Sequence, residues 1–344
     1  MGFWSSCWMI LVICISAGSA IAFPIATYVL TLALFGFAHV AVELRYLDSQ
    51  FYPNLPRSFT HSILQGTLII ALLRSFSLLG WIPTPLNYGL ELFCGIGLVI
   101  IATRAVWQQS WRLGALGIVI AFSIGIGIVK DAIATSIIFA IIHNLTPLGF
   151  ILQRSRPALP LKSRPNRTAP AHAHRPSLPL NSLPLSWLCC LGFGLLPGLI
   201  FLYQWIVQPI EMLPSAMDLP DPYLSAFLAP QWQFSAIALP LFSAVTFLQC
   251  MHYAIVLGLF SQWTSNSPAL RFPGRSSHRF YMAIVTISIV LFLGFQHSFL
   301  ITRAFYGIVA AIHAWIEIPL LLVMLLPGQA IAQPPQAGMN PHRG

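Results

Sequence analysis

Ten stretches of about twenty mostly apolar residues constrain the fold of this chain more than any other feature of its sequence. A segment of this length is what an α-helix needs to cross the hydrocarbon core of a bilayer. Only 7% of the 344 residues are charged and 57% are hydrophobic, values far outside those of soluble globular domains. The sequence therefore predicts an all-α, polytopic integral membrane bundle of about ten transmembrane helices. The predicted spans cover residues 4–22, 24–44, 60–80, 86–104, 112–129, 131–153, 185–207, 235–262, 280–301 and 304–326.

Breaks in the apolar pattern divide the chain into four regions. Residues 1–153 hold about six predicted helices and residues 185–326 hold about four. Residues 154–184 are predicted to be a cytoplasmic linker, because they combine many prolines, which prevent regular helix, with six basic side chains and no acid. Residues 327–344 are predicted to be a disordered tail.

The charge of the chain follows the predicted topology. The 17 Lys and Arg outnumber the 8 Asp and Glu, but the basic residues lie in loops between apolar runs, so nucleic acid is not the expected partner. Residues 208–233 contain acids and no base, and the next loop contains Arg271, Arg275 and Arg279. This alternation fits the positive-inside rule with ten spans and both termini in the cytoplasm. The expected partners are the bilayer and a hydrophobic small molecule.

Two predicted spans carry a histidine and a glutamate four residues apart. The pairs are His39 with Glu43 and His313 with Glu317, and this spacing places imidazole and carboxylate on one helix face. Ionisable groups inside a bilayer are costly and indicate function. Either carboxylate can bind a metal beside the histidine or accept the ring N–H. The alternative is a helix-local hydrogen bond that hides two polar groups from lipid.

Two further spans contain a histidine at a similar predicted depth, His143 and His252. Together with His39 and His313 they predict that four helices converge on one metal ion. His61 is an additional candidate ligand, which could join the site or form its mouth, whereas His297 falls near the opposite surface and is left out. Imidazoles with carboxylates suit iron, copper or zinc, and iron with open positions supports oxygen chemistry. Haem b needs only two of the histidines and stays an alternative cofactor.

Four motifs, taken in order, resemble the histidine pattern of the Brp/Blh family of membrane carotenoid dioxygenases. They are "FAHVAVE", "FAIIHNLTPLGF", "LQCMHY" and "AFYGIVAAIHAWIEIP". The resemblance implies an all-helical membrane enzyme that holds ferrous iron (Fe2+) by histidines and cleaves the central double bond of β-carotene with oxygen to give retinal. By position it implies the iron ligands His39, His143, His252 and His313, with Glu43 and Glu317 in the places of two aspartates.

The sequence departs from the family pattern at several positions within these motifs. Ala38 and Ile312 stand where the family usually has proline, and Val40 replaces a glycine. Val256 stands in the place of a second histidine after His252. The match is therefore confined to a few positions on about four helices.

The resulting functional expectation is a histidine-ligated metal oxygenase or oxidoreductase that acts on a lipid-soluble substrate such as a carotenoid. Glu43 and Glu317 are the expected catalytic residues, which orient the ligands or balance charge. A proton-coupled or ion-coupled transporter is the second expectation, since intramembrane His and Glu also build proton paths. A haem-binding or pigment-binding subunit or assembly factor is the third.

Overall fold

The computed structural model describes residues 3–52, 55–155, 183–207, 222–225, 227–233, 235–265 and 277–326. Every regular element in these ranges is helical, which confirms the predicted all-α class. The tail at 327–344 and nearly all of the linker at 154–184 lie outside the described residues.

Thirteen α-helices follow one another along these ranges. A π-helix at Leu191–Leu195 joins two of them, and a second π-helix at Val256–Phe260 joins two more. The helices are α1 (Phe3–Ala22), α2 (Pro24–Gln50), α3 (Arg57–Leu78), α4 (Thr84–Trp107), α5 (Trp111–His143), α6 (Thr146–Ser155), α7 (Leu183–Cys190), α8 (Leu196–Val207), α9 (Pro222–Ser225), α10 (Ala238–Ile255), α11 (Ser261–Ser265), α12 (Ser277–His297) and α13 (Phe299–Met324).

Eight helical segments of the described chain are long and apolar enough to cross a membrane. Their outward faces carry large apolar side chains, among them Val129 at 84% exposure and Phe122 and Ile206 at 69%. Soluble proteins rarely expose apolar patches of this extent, whereas acyl chains would cover them without cost. The described segments thus indicate a multi-pass membrane protein.

The long helix α5 contains a chain reversal at Asp131. The backbone of Asp131 is extended, with φ −166° and ψ 103°, and its Oδ1 accepts a hydrogen bond of 2.9 Å from the backbone N–H of Ala134. A Cβ on Gly127 would lie only 2.5 Å from Oγ1 of Thr135, although residues eight apart in a continuous helix are separated by about 12 Å. The two halves of α5 therefore form a helical hairpin, and Asp131 caps the second half. This break coincides with the boundary that the sequence predicts after Lys130.

One end of the bundle collects most of the basic side chains of the described residues. Three contacts lie at this end of the bundle. They are Trp107 with Gly114, Arg45 with Phe280 and Arg154 with Trp263. We call this the basic end. It carries Arg45, Arg57, Arg104, Arg112, Arg154 and Arg279.

The core is densest along α10, α13 and the second half of α2. Phe242 and Phe247 on α10 are wholly inaccessible, and Tyr46 on α2 and Trp315 on α13 are nearly so. A lipid-facing helix cannot bury a polar group, so polar residues of a membrane protein belong on enclosed helices. These three helices carry three of the four predicted histidine ligands.

A buried ion pair ties α3 and α4 to α13. Nε and Nη2 of Arg74 donate to the two carboxylate oxygens of Glu91 at 2.8 and 2.9 Å, and Nη1 donates to the backbone oxygen of Gly307 at 3.0 Å. The indole N–H of Trp315 donates to Oε1 of Glu91 at 2.9 Å. Gly95 leaves the room for this indole, since a Cβ there would lie 2.0 Å from its ring. Arg74 and Glu91 therefore hold α13 against its neighbours.

Replacing either member of this ion pair should destabilise the fold. We expect Glu91→Leu to lower the free energy of unfolding by about 3 kcal/mol, the low end for a buried pair, because the Arg74 side chain is 26% exposed. In the double variant Arg74→Met with Glu91→Leu, the free energy of unfolding should fall by clearly less than the sum of the decreases in the two single variants. Unfolding in mixed detergent micelles measures these differences.

Arg57→Met is the matched control, since Arg57 is an exposed arginine at the other end of α3. It should change the free energy of unfolding by less than about 0.5 kcal/mol. Additive losses in the double variant would show that the pair contributes no coupling.

Candidate metal centre

The fold brings the six predicted ligand and acid residues into one buried cluster. His39 and Glu43 come from α2, His143 from the second half of α5, His252 from α10, and His313 and Glu317 from α13. The exposure of these side chains ranges from 0% for His252, Glu43 and Glu317 to 7% for His143. We call this set the histidine cluster.

The four imidazole rings form a closed circuit around a common centre. Following the order His39, His252, His143, His313 and back to His39, the ring centroids are 5.1, 5.0, 4.6 and 5.2 Å apart. A metal bound by an imidazole nitrogen at about 2.1 Å lies about 3.2 Å from the ring centroid. Neighbouring ligands at 90° to 110° would then have centroids about 4.5 to 5.2 Å apart. The observed centroid spacings fall in this range, although the ligand atoms close enough for one ion form two overlapping sets of three rather than one set of four.

Oxygen atoms close to two of the rings indicate which nitrogen faces the centre. Nδ1 of His39 lies 3.3 Å from the backbone oxygen of Phe35, one turn earlier. Nδ1 of His143 lies 2.9 Å from Oε2 of Glu317, an ion-pair contact without the angles of a well-formed hydrogen bond. Because both oxygens are acceptors, we assign the proton of each ring to Nδ1, which leaves Nε2 with a free lone pair. Histidines that bind metals show this pattern, in which the second nitrogen donates to a carbonyl or a carboxylate.

The closest contact between two rings of the cluster joins their Nε2 atoms. Nε2 of His143 and Nε2 of His313 are 2.9 Å apart. This contact is either an N–H···N hydrogen bond from His313 to His143 or a pair of nitrogen lone pairs that face one cation. Two neighbouring ligands of one metal are about 3.0 Å apart, which matches the observed separation.

The two carboxylates pair with histidines of other helices rather than with those on their own helix. Oε2 of Glu43 lies 3.1 Å from Nε2 of His252, and Oε2 of Glu317 contacts His143 and accepts a hydrogen bond of 2.5 Å from Oγ1 of Thr146. Oε1 of each glutamate is buried with no hydrogen-bond partner. Buried carboxylate oxygens are costly when unpaired. A cation at the centre of the cluster would compensate for both.

Two overlapping sets of ligand atoms lie close enough to hold an ion. The atoms of His39, His252 and His313 are within 4.8 Å of one another, and so are those of His143, His313 and Glu317. His313 belongs to both sets. Imidazole and carboxylate donors together suit zinc, copper and iron. Cys250 lies two residues before His252 but belongs to neither set, so the donor chemistry is that of nitrogen and oxygen.

The ring spacing bears on the haem b alternative, which the structure does not test directly. A porphyrin fills the four positions around its iron and leaves imidazoles only the two axial ones. In the cluster each of the four rings instead lies within 5.2 Å of two others. We therefore favour a non-haem ion over haem b.

Two residues that contact the histidine cluster were not predicted from the histidine pattern. Thr146 follows His143 by three residues and donates to Glu317. Tyr253 follows His252 directly and stacks on the ring of His39 at 4.1 Å. The only sequence signal for either is its closeness to a histidine, since threonine and tyrosine are common in apolar helices. A π-helix begins at Val256, and such turns are frequent at functional sites.

Other predicted or polar features lie away from the cluster. His61 is exposed near the start of α3, His297 is exposed at the end of α12, and neither belongs to a set of ligand atoms. The structure therefore does not place His61 with the other candidate ligands. An apolar groove of about 1040 Å³ runs between α4 and α5, from Trp107 to Lys130, and its lining includes no cluster residue.

Removing the carboxylate partner of His143 should weaken metal binding without emptying the site. We expect Glu317→Gln to lower the affinity for ferrous iron or for Co2+ by 10-fold to 100-fold, the usual effect of losing a group that orients a ligand. His313→Ala should abolish stoichiometric binding, because His313 belongs to both sets of ligand atoms. Elemental analysis and Co2+ absorption of the purified protein measure both effects.

His297→Ala is the matched control, an exposed histidine outside the cluster, and should retain the full metal content. Equal metal content in the His313→Ala and His297→Ala variants would contradict the assignment of the centre.

Comparison with known proteins finds no relatives for this chain. No family model matches it, and neither the curated proteins nor the solved structures contain a significant match. The proposed function therefore rests on the geometry and donor atoms of the histidine cluster.

Proposed function

We propose that this protein is a membrane-embedded, histidine-ligated iron oxygenase that acts on a lipid-soluble substrate. The observation that carries the proposal is the circuit of four buried imidazoles, with neighbouring centroids 4.6 to 5.2 Å apart, closed by two buried carboxylates. Iron accepts such ligands and keeps positions open when the protein supplies few strong donors.

Charge balance supports a divalent ion in the cluster. Glu43 and Glu317 are both wholly inaccessible, and their carboxyl groups interact with each other. Two carboxylates in a medium of low polarity need about two positive charges nearby. One divalent cation supplies them and leaves the imidazoles neutral, in agreement with the single proton assigned to His39 and to His143.

The residues of the chain have separate roles in this proposal. Ferrous iron, when bound, supplies the capacity to activate oxygen. His143 is oriented by Glu317, which is in turn oriented by Thr146. Glu43 contacts His252 at Nε2 rather than at Nδ1. Tyr253 covers one face of His39, and the apolar helices around the cluster exclude water from the reacting centre.

The depth of the cluster favours a substrate dissolved in the bilayer. His39 and His313 each lie 11 residues before the end of their helix at the basic end, or about 16 Å along the helix axis. Half the thickness of the hydrocarbon core is about 15 Å. A polar metabolite would have to cross that distance, whereas an isoprenoid or carotenoid already resides there and can enter sideways.

The resemblance to the Brp/Blh motifs narrows the proposed substrate to a carotenoid and the reaction to cleavage of a double bond. Adding both atoms of O2 across one carbon–carbon double bond yields two carbonyl groups. The reaction balances without an external electron donor. This fits a cluster in which no thiolate or haem participates.

The activity is tested by supplying β-carotene and oxygen to membranes that contain the protein and measuring retinal by chromatography. We expect retinal from the native protein and from His297→Ala, and none from His313→Ala. A protein that carries iron but leaves β-carotene intact would disprove the proposed substrate. A protein without any bound metal would disprove the enzyme proposal as a whole.

We further propose ten spans, with the basic end and both termini in the cytoplasm. The hairpin at Asp131 splits the segment Trp111–Arg154 into two crossings, and α1 supplies a further one. The arginines of the basic end then satisfy the positive-inside rule.

Single cysteines in a variant without the native cysteines test this topology. An impermeant thiol reagent added outside should label Lys130→Cys and Thr84→Cys and should spare Gln109→Cys and Arg154→Cys. If Trp111–Arg154 were a single crossing, Gln109→Cys and Arg154→Cys would be labelled from opposite sides.

A proton-coupled or ion-coupled transporter is the alternative from another functional class. The unbroken contact between imidazoles and carboxylates in the cluster is also what a proton path requires. Pro319, two residues after Glu317, lies inside α13 and removes one backbone hydrogen-bond donor there. Ion flux into liposomes that does not depend on metal would favour transport over oxygenation. A pigment-binding subunit would instead copurify with a chromophore visible in its absorption spectrum.

A further inference from the structure

Arg45 is a buried arginine that forms no ion pair with the acids of the described residues. It lies on α2, five residues before the helix ends at Gln50, and is 7% exposed. Its Nε and Nη1 atoms are buried and make no hydrogen bond. The guanidinium group lies 4.2 Å from the ring centroid of Phe280 and 5.7 Å from that of Tyr281, both on α12. The two rings hold the group from the side of α12.

Ring contacts do not replace the hydrogen bonds that Arg45 loses on burial. A cation over an aromatic ring is stabilised by the ring but gains no hydrogen-bond acceptor. A buried charged group with unsatisfied N–H donors is more costly than a neutral one. An acceptor that reaches the guanidinium group would remove this cost.

The chain has few acids that could serve as that acceptor. Only eight Asp and Glu occur in the whole sequence. Glu43 and Glu317 belong to the histidine cluster, Glu91 pairs with Arg74, and Asp131 caps a helix at the end of the bundle opposite the basic end.

No ion pair joins the remaining acids to Arg45 in the part of the chain that the structure describes. Asp48 lies one turn beyond Arg45 and has an interaction of its own, and none of the ion pairs found joins the two. The last three acids, Glu211, Asp218 and Asp221, lie outside the described residues, in a loop that the sequence predicts on the opposite side of the membrane. An anion from outside the chain would therefore complete the surroundings of Arg45.

The surroundings of Arg45 favour a phosphate group. Arg154 lies at the same end of the bundle, 4.6 Å above the ring of Trp263, and Tyr46, next to Arg45, packs against that ring at 5.8 Å. Guanidinium groups bind phosphate oxygens through paired N–H donors. Arg45 is also six residues, or about 9 Å along the axis, beyond His39 toward the basic end, which is the side of the headgroups.

We propose that Arg45, held between α2 and α12 by Phe280 and Tyr281, binds the phosphate group of an anionic ligand at the basic end of the bundle. The phosphate belongs either to a phospholipid headgroup or to a small soluble phosphate. Basic pockets between transmembrane helices recognise anionic headgroups in this manner. This site is separate from the histidine cluster and does not depend on the proposed oxygenase activity.

Thermal unfolding in detergent with added ligands tests the proposal. The ligands are phosphatidylglycerol, a galactosyl diacylglycerol that has no phosphate, and inorganic phosphate. We expect phosphatidylglycerol to raise the unfolding temperature of the native protein more than the neutral lipid does. Arg45→Gln should weaken the apparent affinity for the phosphate ligand by about fivefold or more, since one basic residue near an anionic headgroup contributes about 1 kcal/mol.

Arg104→Gln is the matched control, because Arg104 is an exposed arginine at the same end. It should keep most of the stabilisation. If inorganic phosphate stabilises the native protein and Arg45→Gln removes this effect, the ligand is a small soluble phosphate. If only phosphatidylglycerol stabilises the native protein, the ligand is the lipid headgroup.

Two results would overturn the proposal. One is equal phosphatidylglycerol affinity in Arg45→Gln and the native protein. The other is a native protein whose unfolding temperature rises no more with phosphatidylglycerol or inorganic phosphate than with the neutral lipid. This second result needs no variant, so it decides the question even if Arg45→Gln does not fold.

Discussion

The need to compensate every charged group removed from water governs the interior of this protein. Lipid offers no hydrogen bonds, so an ionisable side chain inside the bundle persists only where other groups of the protein or a bound ion neutralise it. The six residues of the histidine cluster meet this condition among themselves only in part, because Oε1 of Glu43 and of Glu317 makes no well-formed hydrogen bond and the two carboxyl groups interact with each other. A cation bound beside both carboxyl groups would complete this pairing.

Helix α13 connects the two polar centres of the interior. His313 and Glu317 enter the histidine cluster, and Trp315 between them donates to Glu91, which is paired with Arg74. Trp315 also stacks on Phe139 at 3.9 Å, one turn before His143 on α5. The helices that supply His143 and His313 are thus locked together by one indole. The ion pair on α3 and α4 consequently helps to fix the short distance between the two nitrogens.

The cluster and the surface of the bundle have different roles in the proposed function. The imidazoles and carboxylates would bind the metal ion and leave coordination positions open, whereas the apolar exterior would let a lipid-soluble substrate enter from the bilayer. The groove between α4 and α5 does not reach the histidines, so occupancy of that groove and chemistry at the cluster are separate properties. Arg45 adds a third element, which is an anionic contact near the headgroup level.

The sequence alone determined the helical class, the membrane setting and the identity of the buried polar residues. Apolar runs of about twenty residues permit little else, and a histidine within such a run is conspicuous. The break after Lys130 was also visible, because two charged residues cannot occupy the middle of a span cheaply. No pattern in the sequence indicates that Glu43 faces His252 and Glu317 faces His143 across helices, or that Thr146 and Tyr253 contact the cluster. Those contacts join residues up to about 200 positions apart, and only the packing of α2, α5, α10 and α13 decides which side chains meet. His61 is also a histidine, but it lies at an exposed helix start, away from the cluster. The sequence therefore identifies candidate ligands, and the tertiary structure decides which of them meet.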